Sequence, residues 1–284
     1  VTASAEQASA ARENGAVSIP ASSGLTELPE PRFVLVGEDG HRIATYSWGE
    51  DDLPTVVVVH GFASNTKDNW VSTGWVRDLQ RAGFRVLGLD QRGHGASDKP
   101  HRAADYDLHQ LASDVEAVLD TYLVDTAMYV GYSLGARVGW EVLQDFSARI
   151  TRGVLGGVPD GIPLARLDID QVRALVENGT EVTDPVTQNY VRLTERVPGN
   201  DLRALLAIAG GMRASGTVDP DPANAPEQPV LFATGSRDAI IEGSKALAAA
   251  TPQGRFVEIP DRHHFNAPGS RVFRQTAIEF LTEG

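Results

Sequence analysis

Tyr129-Val130-Gly131-Tyr132-Ser133-Leu134-Gly135 is an apolar run that ends in G-x-S-x-G and continues into helix-favouring sequence from Leu134 to about Phe146. That order predicts a strand turning sharply into a helix, a nucleophile elbow with Ser133 at its tip. Glycines on either side remove the Cβ atoms that would collide in so tight a turn. The unpaired N-terminal amides of the following helix then point at whatever lies beside Ser133, a place where an oxyanion could be held. Taken alone, the pattern also fits a plain glycine-rich turn in a chain with 28 glycines. Context decides between the two.

Upstream, Thr55-Val56-Val57-Val58-Val59 is β-branched and apolar on both faces, as a central strand of a parallel sheet requires, and it ends at His60-Gly61-Phe62. A helix is predicted from about Trp70 to Ala82, stopped by Gly83. Phe84 to Leu89 reads as the next strand and runs into Asp90-Gln91-Arg92-Gly93-His94-Gly95-Ala96-Ser97-Asp98. Leu108, Leu111, Val115, Val118, Leu119 and Tyr122 keep i, i+3, i+4, i+7 spacing, so Asp107 to Leu123 is an amphipathic helix. Further out, Phe33 to Val36 and Arg42 to Trp48 read as a hairpin across Glu38 to His41.

Downstream of the elbow, Ile150 to Val158 reads as a strand, and then the rhythm breaks. Pro159 to about Ala225 holds predicted helices at Ile169 to Glu177, Asp184 to Arg196 and Asp201 to Met212, with a proline-rich linker from Asp219 to Pro226. Alternation resumes with a strand at Val230 to Thr234, a helix at Glu242 to Ala250, a strand at Arg255 to Ile259 and a closing helix at Ser270 to Leu281. The fold class is therefore α/β, a mostly parallel central sheet with helices on both faces and a small helical cap. The expected division is a flexible extension over 1–30, a core over 31–158 and 226–284, and a cap insertion with its linker over 159–225.

Composition narrows the chemistry. A 284-residue chain with 42% hydrophobic residues can bury one large core. Its net charge of −13 repels nucleic acid and anionic membrane surfaces. With no cysteine, a thiolate nucleophile, disulfides and cysteine-ligated metals are excluded. No apolar run approaches the 18 or more residues of a membrane span. Val1 to Glu30 is rich in Ala, Ser, Glu and Pro and lacks aromatic residues, which reads as mobile. It has neither the basic start nor the apolar stretch of a secretory signal, so a cytoplasmic location is the default expectation.

The elbow, the His60-Gly61-Phe62 turn and the Gly235-Ser236-Arg237-Asp238 turn all fall at carboxyl ends of predicted strands, the sheet edge where ligands bind. Ile259-Pro260-Asp261-Arg262-His263-His264-Phe265 places two histidines in the loop after the last strand, on that same edge. A serine, a carboxylate and an imidazole can thus meet from distant parts of the chain. The remaining histidines read more plainly: His60 orients its loop, His94 belongs to a glycine turn, and His41, His101 and His109 lie at the surface. Gly93-His94-Gly95 lacks the context of a phosphate cradle, and His263-His264 lacks metal-ligand spacing, so neither cofactor nor metal is expected.

Together these motifs resemble the α/β-hydrolase family, over about Arg32 to the C-terminus apart from the helical insertion, in the family's order of nucleophile, acid and histidine. The resemblance implies Ser133 as nucleophile, His264 as base and Asp238 as the acid that orients it. It also implies the backbone N–H groups of Phe62 and Leu134 as oxyanion donors. His263 is the alternative base; Asp160 and Asp261 are alternative acids. The dehalogenase and epoxide-hydrolase branches resemble this chain around Gly93 to Pro100, but they carry aspartate in the elbow. The expectation is a serine hydrolase that cleaves small or medium carboxylic esters or lactones through an acyl-enzyme. Alternatives on the same scaffold are a carbon–carbon hydrolase, a cofactor-free perhydrolase and a non-catalytic small-molecule receptor.

Overall fold

The structure, a computed structural model, describes residues 26–159, 161, 164–214 and 220–283. Its apolar runs form strands β1 (Arg32–Val36), β2 (His41–Trp48), β3 (Thr55–Val59), β4 (Arg85–Leu89), β5 (Ala127–Tyr132), β6 (Ile150–Gly156), β7 (Val230–Gly235) and β8 (Gly254–Ile259). They lie side by side in the order β1-β2-β4-β3-β5-β6-β7-β8. β2 pairs antiparallel with both β1 and β4, and every other pairing is parallel. The helices are α1 (Trp75–Arg81), α2 (Leu108–Thr121), α3 (Leu134–Asp145), α4 (Ile169–Asn178), α5 (Pro185–Arg196), α6 (Leu202–Ala214), α7 (Ile241–Ala250) and α8 (Arg271–Thr282).

All five residues of β3 are buried, because helices cover both faces of the sheet. One apolar cluster joins Val57, Val59 and Tyr129 to Leu111, Val115, Val138 and Trp140 of α2 and α3. On the opposite face, Val56, Val58 and Val130 pack with Trp75, Leu79, Phe273 and Phe280 of α1 and α8. From β3 the chain moves outward to β4 and then returns to β5 on the other side of β3. That reversal leaves a crevice beyond the carboxyl ends of β3 and β5, the switch point at which open α/β sheets place their ligands.

The segment between β6 and β7 contributes α4, α5 and α6, with Leu167, Val172, Val182, Val191 and Ala209 forming a small apolar cluster of its own. Leu205 and Ile208 of α6 belong instead to the main core, so that helix anchors the insertion to the sheet domain.

Two expectations need correction. The helix expected from Trp70 to Ala82 is two pieces: a π-helical turn at Lys67–Val71, closed by Ser72 N–H to Lys67 C=O at 2.8 Å, and then α1. Gly74 lies between them at φ +84°, a left-handed conformation that interrupts the ladder and costs glycine little. The extension expected over 1–30 is docked where it is described: the Trp48 indole N–H donates to Glu27 C=O at 3.0 Å, and Leu28 packs against the second core cluster. Residues 1–25 lie outside the described residues.

A buried ion pair supports the loop after β4. Arg92 donates to Asp114 through Nε at 2.7 Å and Nη2 at 2.6 Å, and to Asp105 C=O through Nη1 at 2.8 Å. Both side chains are almost wholly buried. Asp114→Ala would leave the guanidinium buried without its counter-charge. The expected loss is about 3–5 kcal/mol of stability, read from urea unfolding of the two proteins.

Candidate active site

Residue 133 enters α3 from β5 with φ +52° and ψ −114°, a region that non-glycine residues rarely occupy. The turn is possible because its neighbours lack side chains. A Cβ at Gly131 would overlap the Gly135 carbonyl, and a Cβ at Gly135 would overlap the Val59 carbonyl. Ser133 N–H donates to Gly156 C=O at 2.8 Å, tying the elbow to β6. Its hydroxyl therefore stands on a braced turn at the N-terminus of α3.

His264 Nε2 lies 2.8 Å from Ser133 Oγ, and His264 Nδ1 lies 2.7 Å from Asp238 Oδ2. An ionised carboxylate only accepts, so Nδ1 carries the proton and Nε2 is free to accept from the serine hydroxyl. Asp238 is buried, with a 4% exposed side chain, whereas His264 is 25% exposed. A close approach of two loops brings the pair together: Arg237 N–H donates to Arg262 C=O at 2.9 Å, and any side chain at Gly235 would strike that carbonyl. The Tyr132 hydroxyl donates to His264 C=O at 2.6 Å, holding the histidine loop over the elbow.

The rival residues lie elsewhere. His263 is exposed, and its Nδ1 accepts from Phe265 N–H at 3.2 Å. Asp261 pairs at 2.5 Å with Arg237 on the surface. Asp160 lies outside the described residues.

The His60-Gly61-Phe62 turn lies against the elbow, since a Cβ at Gly61 would sit 3.3 Å from Ser133 Cβ. Among the described residues, neither Phe62 N–H nor Leu134 N–H donates to a protein acceptor. The turn is held from behind. His60 Nδ1–H donates to Gly61 C=O at 2.8 Å, while its Nε2 accepts from Gln91 N–H at 3.0 Å. Burial pushes the His60 imidazole below its usual range against the opposing charge of Asp90, and burial pushes His94 down as well. Both rings thus stay neutral and serve as scaffold.

Sequence reading did not single out Asn69. It follows Asp68 in the π-helical turn, and its Oδ1 accepts Gly61 N–H at 3.2 Å, fixing the loop beside Ser133. π-Turns are frequent at functional sites, yet they carry no local sequence pattern that would reveal them.

A cavity of about 760 Å³ opens above Ser133 and His264, with Phe62, Tyr132, Tyr190 and Phe265 as its aromatic wall. Of the apolar insertion residues that sequence left undecided between core and ligand, Leu164 and Tyr190 line this cavity, while Leu167 and Val172 pack within the insertion. Asp68 and Arg196, paired at 3.8 Å, line it together and also line a second cavity of about 630 Å³.

His101 and His109 are exposed and pair with Asp201 and Asp145. His41 is half-buried, and its ligand-type atom lies within 4.8 Å of those of Asp39 and Asp105. Arg102 already bridges both carboxylates, at 2.9 and 2.5 Å. Among the described residues no helix is long and apolar enough to cross a membrane.

Comparison with known proteins agrees with this architecture. Residues 54–189 match the sequence model of the alpha/beta hydrolase fold family. Epoxide hydrolase A of Mycobacterium tuberculosis is 35% identical over 114 residues, which is 39% of this chain; the match spans about a third (34%) of that relative's length. A putative non-heme chloroperoxidase of Synechocystis is 28% identical over 206 residues, covering 66% of this chain and 72% of the relative. The enol-lactonase of Burkholderia xenovorans LB400 shares the fold, with a TM-score of 0.72 and 22% identity over 89% of this chain and all (100%) of its own. With the eight-stranded sheet and the elbow at its switch point, these matches show that the chain has the α/β-hydrolase fold.

Proposed function

We propose that this protein is a serine hydrolase of small or medium carboxylic esters or lactones, acting through an acyl-enzyme. The observation that carries the reading is the continuous hydrogen-bonded line from Ser133 Oγ through His264 to Asp238. In this reading His264 takes the serine proton as Oγ attacks the carbonyl carbon, and returns it to the departing alcohol. Asp238 holds the tautomer and stabilises the imidazolium. Phe62 N–H and Leu134 N–H meet the oxyanion, each donor contributing about 3–4 kcal/mol in the transition state. Water then repeats the sequence on the acyl-serine, while the insertion over 159–225 acts as a cap on the cavity.

Several relatives are named epoxide hydrolases, and bond chemistry argues against that activity here. A carboxylate that opens an epoxide forms an ester, which water can cleave. Ser133 would form an ether, with no carbonyl through which water could release it. The chloroperoxidase-named relative supports a narrower second reading, in which hydrogen peroxide replaces water at the acyl-serine. The test is a panel of activated esters, a lactone and styrene oxide, each with and without peroxide. Ester or lactone turnover without epoxide turnover supports the proposal, and epoxide turnover alone overturns it.

The loop beside the oxyanion sets an expectation for alcohol scope. Phe62 is buried, with its ring edge-on to Tyr190 at 5.9 Å, so little room remains for a branched leaving group. Crowding of that kind acts mainly in the tetrahedral transition state and lowers kcat. Turnover of n-butyl acetate is expected to exceed that of tert-butyl acetate by about 100-fold or more in kcat/KM. Comparable values would contradict this account of the loop.

A further inference from the structure

We propose that the substrate of this cavity carries, besides its ester or lactone carbonyl, a second anionic group, a carboxylate, bound by Arg192 and Arg262. The inference rests on the hydrolase reading and narrows its substrate class.

The first observation is charge pairing. Acidic residues outnumber basic ones, 38 to 25, so a surface arginine has many carboxylates to choose from. Many arginines elsewhere take one: Arg42 holds Asp98, Arg149 holds Asp120, Arg237 holds Asp261 and Arg255 holds Glu283, whereas Arg32, Arg166, Arg203, Arg213 and Arg271 hold none among the described residues. The cavity is richer in arginine than in acid. Its lining has three arginines, Arg192, Arg196 and Arg262, against a single aspartate, Asp68. Asp68 is already engaged by Arg196 at 3.8 Å and by the Ser64 hydroxyl at 3.1 Å. Among the described residues Arg262 has no hydrogen bond or ion pair through its side chain, and Arg192 has only the amide oxygen of Asn189, at 2.6 Å.

The second observation is independent and lies deeper. Asn69 is 5% exposed and lines the same cavity; its Oδ1 is used by Gly61 N–H, which leaves Nδ2 as the free donor. That Nδ2 is buried and has no acceptor within the described protein. A buried donor without an acceptor is costly, and Asn69 Nδ2 is one such donor in the wall beside Ser133.

The cavity therefore has two cationic donors, Arg192 and Arg262, with no free acid among its described lining residues to balance them. A neutral alkyl ester leaves the two guanidiniums unused. A carboxylate satisfies them in their preferred forked geometry, with charge-assisted bonds about twice as strong as neutral ones. Arg262 stands two residues before His264 and Arg192 two residues after Tyr190, so the anion would bridge the histidine loop and the insertion.

The test compares mono-p-nitrophenyl adipate, which keeps a free carboxylate, with its methyl-capped counterpart at low ionic strength. The free acid is expected to have about tenfold or greater kcat/KM, with the advantage shrinking as salt screens the cavity. Arg262→Gln and Arg192→Gln should each lower that ratio, and the double variant should bring it to about one, while Arg262→Lys should keep part of it. As a readout without turnover, adipate should bind to Ser133→Ala protein more tightly than adipamide in calorimetry. Turnover of both esters with no preference for the free carboxylate, or a preference that survives the double glutamine variant, overturns the inference and leaves the hydrolase reading standing. Turnover of neither ester by folded protein overturns the reading on which it rests.

Discussion

Ser133→Ala is expected to lose roughly 10⁴- to 10⁶-fold in kcat on an activated ester while remaining folded, and a fluorophosphonate probe is expected to label Ser133 in the native chain. The size follows from what the substitution removes. Without Oγ no acyl-enzyme forms, and the chemistry falls back on water beside the Phe62 and Leu134 amides. What those donors still contribute sets the residual rate, about 10³ to 10⁴ above solution. Folding is expected to survive because the strain at 133 is a property of the backbone, held by the Ser133 N–H to Gly156 C=O bond, and alanine keeps that bond. Loss of the probe label in Ser133→Ala, with circular dichroism unchanged, is the matching control. Labelling at another serine, or near-native turnover in the variant, would remove Ser133 from the proposed mechanism.

How much of this was legible in the sequence depends on whether the physics was local. β3 announces itself because five consecutive β-branched or apolar residues suit only a strand buried on both faces. The elbow is legible because the clashes that its glycines avoid lie within a few residues or on the adjacent strand. The α5 boundary could be read from Asp184, whose side chain accepts Thr187 N–H at 2.7 Å, followed by Pro185 in the first turn. The bond from Tyr132 to His264 could not be read, since it joins residues 132 apart and depends on where two loops meet. Asn69 was hidden for the same reason, and also because its π-helical turn replaces what reads as an ordinary helix start. In the insertion, the helical pattern located α4 and α5. It did not separate Tyr190, which faces the cavity, from Val191, which packs within the insertion, because both are apolar neighbours on one helix.

The adjacent histidines offer the sharpest separation, because one loop presents two identical side chains to different surroundings. His264→Ala is expected to lower kcat/KM by roughly 10⁴- to 10⁶-fold, and His263→Ala to stay within about twofold of native. In the sequence, His264 is favoured over His263 only by resemblance to the family. The geometry supplies a physical ground: the two ring nitrogens of His264 are 2.7 and 2.8 Å from a buried carboxylate and from the serine hydroxyl, whereas His263 Nδ1 accepts a backbone N–H in its own loop. Removing the His264 imidazole also strips the buried Asp238 of the partner on its Oδ2, leaving, among the described residues, only Ile240 N–H on Oδ1 at 3.3 Å, so some loss of stability is expected beside the loss of rate. His263→Ala removes only a local contact at the surface. Added imidazole should restore part of the rate to His264→Ala, because the cavity is open and a diffusible base can occupy the vacated space between Asp238 and Ser133. Rescue without recovery of stability would separate the proton-transfer role from the structural one, and the reverse ranking of the two variants would overturn the assignment of the base.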